Sequence, residues 1–197
     1  MYARLNYVGM KPELMEELKP FWRARVEEFS RVEKGYFLLE EGNRAWTLSV
    51  VLFESKSAMD ANTHNTLGGV AQQAARFRTT EPDLHPREVL AHVPGHAGKT
   101  GYARVAEVEF NPKDVDEASA IWPSSIDAYQ AEAGFRHAYF CGDRGTGRVA
   151  SISFWASKAD AEANEASGAF VAAMAPHKAL MTAKPKITHW DVVVVVG

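Results

Sequence analysis

Cysteine is nearly missing from this chain. Cys141 is the single thiol, so no intrachain disulfide and no cysteine cage for a metal can form. It stands beside Gly142-Asp143-Arg144-Gly145, a turn sequence, and is expected as a surface or half-buried thiol rather than a nucleophile. Long apolar runs are missing as well. No window approaches the roughly 18 residues that a membrane span needs, and no membrane partner is expected. The opening Met1-Tyr2-Ala3-Arg4-Leu5 alternates like a strand and lacks a basic segment followed by an apolar one, which makes the cytoplasm the expected location.

Positive charge is not in excess either. A formal net charge of -3 leaves no basic field to neutralise phosphates, so nucleic acid is not an expected partner and a small organic molecule is. No glycine-rich phosphate loop joins a strand to a helix, because Gly145-Thr146-Gly147 reads as a hairpin turn; a nucleotide cofactor is not supported. The seven histidines form no HExxH motif, and no metal site is expected.

What is present is a repeat. Phe53-Glu54-Ser55-Lys56-Ser57-Ala58-Met59-Asp60-Ala61-Asn62 returns as Trp155-Ala156-Ser157-Lys158-Ala159-Asp160-Ala161-Glu162-Ala163-Asn164. In each copy a β-type run ends in an aromatic residue, a Ser takes an N-cap position, and an Ala-rich helix begins with acidic residues near its positive end. Upstream, Tyr2-Ala3-Arg4-Leu5 is answered by Tyr102-Ala103-Arg104-Val105. A Pro-bearing helix start follows at Pro12 and at Pro112. The apolar stripe Leu14, Leu18, Phe21, Trp22, Val26, Phe29 is matched by Val115, Ala118, Trp122, Ile126, Tyr129, so one helix face is buried in both. Pro20 and Pro123 fall inside these helices and predict bends. Gly35-Tyr36 and Gly134-Phe135 are read as the matching openings of a second strand, which a hairpin joins to a third. A second helix, broken near Gly68-Gly69 and Ser167-Gly168, and a closing strand complete each copy.

The order β-α-β-β-α-β is the ferredoxin-like arrangement. It predicts an α+β protein of two tandem repeats, residues 1–93 and 102–197 with a linker at 94–101. Each sheet has one face bare of helices, and packing the two sheets face to face would make a single-chain pseudo-dimeric barrel. The last strand, apolar on both faces, would pair across the two units. Whether such chains associate further is open.

These features, the aromatic strand end with its Ser cap, the Gly-aromatic pairs and the broken second helix with Ser167-Gly168-Ala169-Phe170, resemble the antibiotic-biosynthesis-monooxygenase type of domain within the dimeric α+β barrel superfamily. The resemblance covers both halves. It implies a cleft between sheet and helices in each half and a monooxygenase that works without metal or flavin on a small aromatic or polyketide-like molecule. It equally admits a non-catalytic small-molecule-binding or stress-related protein, and haem handling with less support. No cofactor is expected. Haem is disfavoured because Asn164 and Met174 stand where haem-degrading relatives carry Trp and His, with His177 displaced by three positions.

Within that frame Asn6 is a candidate catalytic residue, since a polar amide on the alternating first strand needs a partner and its counterpart is Ala106. His64 on the second helix is the candidate base. Trp22, Tyr36, Trp122 and His137 are candidate substrate contacts, an indole N–H being a donor in an otherwise apolar pocket.

Overall fold

The computed structural model describes residues 1–65 and 71–197, with the backbone alone at 64, 65 and 71. Its strands are β1 (Tyr2–Gly9), β2 (Val32–Glu40), β3 (Asn43–Phe53), β4 (Asp83–Pro94), β5 (Tyr102–Glu109), β6 (Phe135–Gly142), β7 (Arg148–Trp155) and β8 (Lys186–Val196). Its helices are α1 (Met15–Glu27), α2 (Lys56–Asn65), α3 (Ala71–Ala74), α4 (Val115–Ser125), α5 (Lys158–Ala166) and α6 (Ala169–Met174). The strands hydrogen-bond in the order β1-β3-β2-β8-β5-β7-β6-β4 and close into a barrel, the α+β class expected. Among the described residues no helix is long and apolar enough to cross a membrane.

Two compact units divide the chain, Met1–Glu88 with Val192–Gly197, and Val89–Asp191. The first unit is built on β1, which pairs antiparallel with β3 from Tyr2↔Phe53 to Gly9↔Trp46 and with β4 from Tyr2↔Glu88 to Tyr7↔Asp83. The second repeats the scheme on β5, paired with β7 and with the first part of β8. The last residues of β8 therefore belong to the first unit, with Val194 and Val196 in its core.

Period-two alternation separates the strand faces. On β1, Ala3, Leu5 and Tyr7 are buried on one side, while Arg4, Asn6 and Val8 border the helix side. The cap serines hold as expected: Ser55 Oγ accepts from Ala58 N at 3.1 Å, and Ser157 Oγ from Asp160 N at 3.3 Å. The break at Ser167-Gly168 is real, with Gly168 at φ 83° opening α6; Gly68-Gly69 lie outside the described residues. Pro20 leaves α1 continuous to Glu27, whereas α4 ends two residues after Pro123 and passes into a 3-10 turn, Asp127–Ala131.

Two expectations need correction. Cys141 is fully buried, because β6 runs on to Gly142 and makes it a strand residue rather than a turn residue. The Gly-aromatic pairs are also not equivalent. Gly35 lies opposite Val51 inside β2, and the residue that lies opposite the matching Ser153 is Ala138. Gly134 corresponds instead to Arg31, since their carbonyls accept from Ala156 N and Glu54 N. Gly35 has a packing reason of its own: a Cβ there would stand 2.9 Å from Val26 and 3.2 Å from Trp22, so its absence lets α1 settle onto the sheet.

The β6–β7 turn tests how far a glycine is required. Gly147 has φ 75° and a Cβ on it would run into the Phe110 carbonyl, whereas Gly42, at φ 80°, has open space. Gly42→Ala should cost about 1 kcal/mol of backbone strain. Gly147→Ala should cost about 3 kcal/mol, because backbone has to move as well. Urea unfolding of both variants measures the difference, and equal losses would contradict it.

Candidate functional site

Each unit carries a cleft between its sheet and its helices, lined by matching residues. In the first, Arg4, Asn6, Val8, Trp22, Val26, Phe29, Ser49 and Val51 surround a cavity of about 170 Å³. In the second, Arg104, Ala106, Val108, Trp122, Ile126, Tyr129, Ser151 and Ser153 surround about 20 Å³. The frame is the same in both. Trp22 Nε1 donates to Ser49 Oγ at 3.0 Å, and Trp122 Nε1 donates to Ser151 Oγ at 3.0 Å. The indoles stack on Phe37 and Phe140, with ring centroids 5.3 and 5.2 Å apart. A helix-borne Trp is thus pinned to the third strand of its unit and roofs the cleft.

The contents differ. Arg104 is 2% exposed and fully engaged. Its Nη1 donates to Glu165 Oε1 at 3.0 Å, its Nη2 donates to Asn164 Oδ1 at 2.8 Å and to Tyr129 OH at 3.2 Å, and the Phe170 ring covers its guanidinium at 4.0 Å. Glu165 Oε1 also accepts from His189 Nε2 at 2.9 Å. Burial works to raise the Glu165 pKa, but the hydrogen bonds from His189 and Arg104 outweigh it and hold the carboxyl below its ordinary value. Burial pushes the Tyr129 phenol up to about 12. The charge on Arg104 is thus answered, and the space around it filled, from within the unit.

Arg4 has little of this. Its Nη1 donates to Thr63 Oγ1 at 3.1 Å, and it lies over the Phe29 and Phe53 rings at 5.1 and 5.3 Å. Thr63 stands where the second repeat has Glu165, and Phe29 where it has Tyr129. Asn62, the match of Asn164, bonds Ser30 and Ala58 instead. Among the described residues Arg4 has no carboxylate partner, and residues 64–71 contain no acid that could supply one. Burial lowers its pKa to about 10. The Asn6 Oδ1 atom is also buried without a hydrogen-bond partner among the described residues. Arg25 and Arg78 border the same cleft but are paired with Glu28 and Glu81.

Asn6, Trp22 and Trp122 therefore stand at clefts, the last in the filled one. Tyr36 and His137 border neither. Tyr36 is fully buried next in sequence to Phe37, which stacks on Trp22, and so takes the opposite strand face. His137 packs against Phe154 at 4.7 Å and Tyr139 at 5.4 Å. The side chain of His64, on α2, is outside the described residues. His92 and His96, four residues apart on extended chain, go to different neighbours: His92 stacks on Tyr139 at 4.5 Å and His96 bonds the Gln130 carbonyl at 3.0 Å. Among the described residues no group of three metal-ligating side chains converges. The second cleft, already filled by its own side chains, does not fit a haem. A separate groove of about 380 Å³ outside α6, lined by Val171, Met174 and Lys178 among others, brings one charged group to an otherwise apolar surface.

Sequence reasoning passed over Arg4, Ser49 and Thr63. One signal was available: an arginine kept at the same place on a buried, alternating strand in both repeats.

Residues 101–176 match the family model described as antibiotic biosynthesis monooxygenase. The match falls on the second repeat and covers less than half of the chain. No curated protein matches the chain. Solved structures share the fold over nearly the whole length of the chain. A candidate monooxygenase from Fusobacterium nucleatum has a TM-score of 0.78 at 12% identity, covering 98% of this chain and 93% of that one. An anthrone oxidase-like protein has a TM-score of 0.73 at 18% identity, covering 99% and 92%. A haem-degrading enzyme from Listeria monocytogenes has a TM-score of 0.56 at 10% identity, covering 96% and 99%. At these identities the likeness is one of fold.

Two measurements follow from the contrast between the two clefts. Arg104→Met leaves Glu165 and Asn164 without their cation and should cost about 2–3 kcal/mol, below a fully buried pair because Glu165 keeps 34% exposure. Arg4→Met, which removes a desolvated cation lacking a counter-ion, should be neutral or stabilising. A urea-derived loss for Arg4→Met as large as that for Arg104→Met would contradict the contrast. The second measurement is of pH dependence. Burial lowers the pKa of His177, the position matching Phe77, below the ordinary 6.5. A depressed folded value means that its contribution is present above the unfolded pKa and is lost as pH falls through the folded one. The stability of His177→Phe minus that of the natural chain should therefore rise from pH 7 to pH 5. Parallel curves would contradict it.

Proposed function

We propose that the cleft of the first unit is the working pocket and that it binds a flat, hydroxylated aromatic molecule for oxygenation by dioxygen. The observation that carries this reading is the contrast between matching clefts, one filled by its own side chains and one holding about 170 Å³ under the same Trp-Ser roof. An engineered apolar cavity of about 150 Å³ is known to take benzene, so the space suits a ring. Its walls, Val8, Met10, Leu18, Phe21, Trp22 and Phe29, are apolar, with few polar groups to orient a guest.

In this reading the unpaired Asn6 Oδ1 accepts the hydrogen bond of a substrate hydroxyl, and the dry walls favour the ionised, electron-rich form only where a cation stands by. Arg4 is that cation. The reaction converts a ring CH₂, or its enol form, and O₂ into C=O and water. The substrate supplies the electrons, one oxygen atom enters the product and the other leaves as water. His64 is proposed as the base that takes the first proton.

The test is oxygen uptake by the purified chain with anthrone or a naphthohydroquinone, corrected for uptake without protein. Uptake is expected, with Asn6→Ala, which copies Ala106, lowering kcat/KM at least tenfold and His64→Ala lowering kcat. Aromatic binding without uptake would replace catalysis by carriage in the same pocket. A shifted Soret band on adding haemin, with no uptake from the aromatic substrates, would overturn the proposal in favour of haem.

A further inference from the structure

The second unit shows what the first is built to receive. Around Arg104 an acid and a ring from α5 and α6 complete the site: the Glu165 carboxylate sits on Nη1 at 3.0 Å and the Phe170 ring lies over the guanidinium at 4.0 Å. Around Arg4 both are missing. Thr63 replaces the acid, and residues 64–71 hold no acid and no Phe, Tyr or Trp. The strand that carries each arginine is otherwise matched, and each guanidinium faces the same two rings, Phe29 and Phe53 in one unit, Tyr129 and Trp155 in the other.

We infer that the first cleft selects an aromatic acid, a planar ring bearing a carboxylate, with the carboxylate on Arg4 and the ring against its guanidinium in the places that Glu165 and Phe170 fill at Arg104. This rests on the first cleft being the ligand pocket and narrows its ligand to one charge type. A desolvated guanidinium without an anion is costly, and a carboxylate restores the charge-assisted pair that its counterpart has. A ring over a guanidinium adds a cation–π contact. Arg25 and Arg78 at the same cleft add positive potential; the Nη1 atom of each is held by an acid, Glu28 or Glu81, whereas Arg4 has none among the described residues. A neutral molecule of the same shape would gain the apolar walls and the ring contact but not the ion pair.

The experiment is calorimetric titration of the whole chain with two matched pairs, benzoate against benzamide and 2-naphthoate against 2-naphthamide. In at least one pair the acid should bind ten or more times tighter than the amide. Arg4→Met should bring the ratio near one, with the acid losing far more affinity than the amide, and its urea unfolding transition reports that the variant is folded. Thr63→Glu should do the same with the arginine present, by giving Arg4 the internal acid that Arg104 has. If either variant does not fold, the other decides. Equal binding of acid and amide by the natural chain would overturn the charge selection and leave the pocket standing. Binding of none of the four would overturn both. Selectivity that persists in Thr63→Glu would overturn the assignment to Arg4.

Discussion

A guanidinium placed beneath a layer of helices has to be answered by something, since burial removes the water that would otherwise solvate it. Both repeats of this chain place one there, at Arg4 and Arg104, on the helix-facing side of the first strand of each unit. How each is answered governs the rest of its cleft. Around Arg104 the answer is internal: Glu165, Asn164 and Tyr129 supply acceptors, His189 steadies the glutamate, and Phe170 covers the plane. Once these side chains converge, no room for a guest is left.

The frame that holds the arginine is indifferent to this outcome. In both units a tryptophan from the first helix donates to a serine on the third strand and stacks on a phenylalanine of the second, so helix and sheet keep their spacing whether the space between them is filled or hollow. With that anchoring the first unit keeps its cleft without an internal acid and ring of the kind found at Arg104. The cost of the hollow falls on Arg4, which has no acid among the described residues, and on Asn6, whose buried oxygen has no partner there; in the proposed reading a guest supplies what both lack. Local dissatisfaction of this kind persists only where the surrounding structure holds it in place.

Much of this was legible in the residues. The repeat, the serine caps, the broken second helix and the buried tryptophan stripe are local patterns, and local hydrogen bonding and periodicity are enough to produce them. The readings that missed concern where an element stops or which face a residue takes. Cys141 looked like a turn residue because glycine follows it, yet the strand carries on to that glycine. Gly35 and Gly134 look equivalent by spacing but differ by register. Tyr36 and His137 fall on strands of the right kind and on the wrong face for a cleft, a distinction that one residue of register reverses.

The amino-acid sequence by itself determined that the chain is a duplicated α+β protein with an arginine at one place in both copies, because period, caps and turn residues act over a few neighbours. Only the tertiary structure decided that one arginine is satisfied and the other is not. The partners that make the difference come from helices some sixty residues further along the chain, as Glu165 does for Arg104, and no local signal says whether a distant side chain arrives within three ångströms of a buried charge.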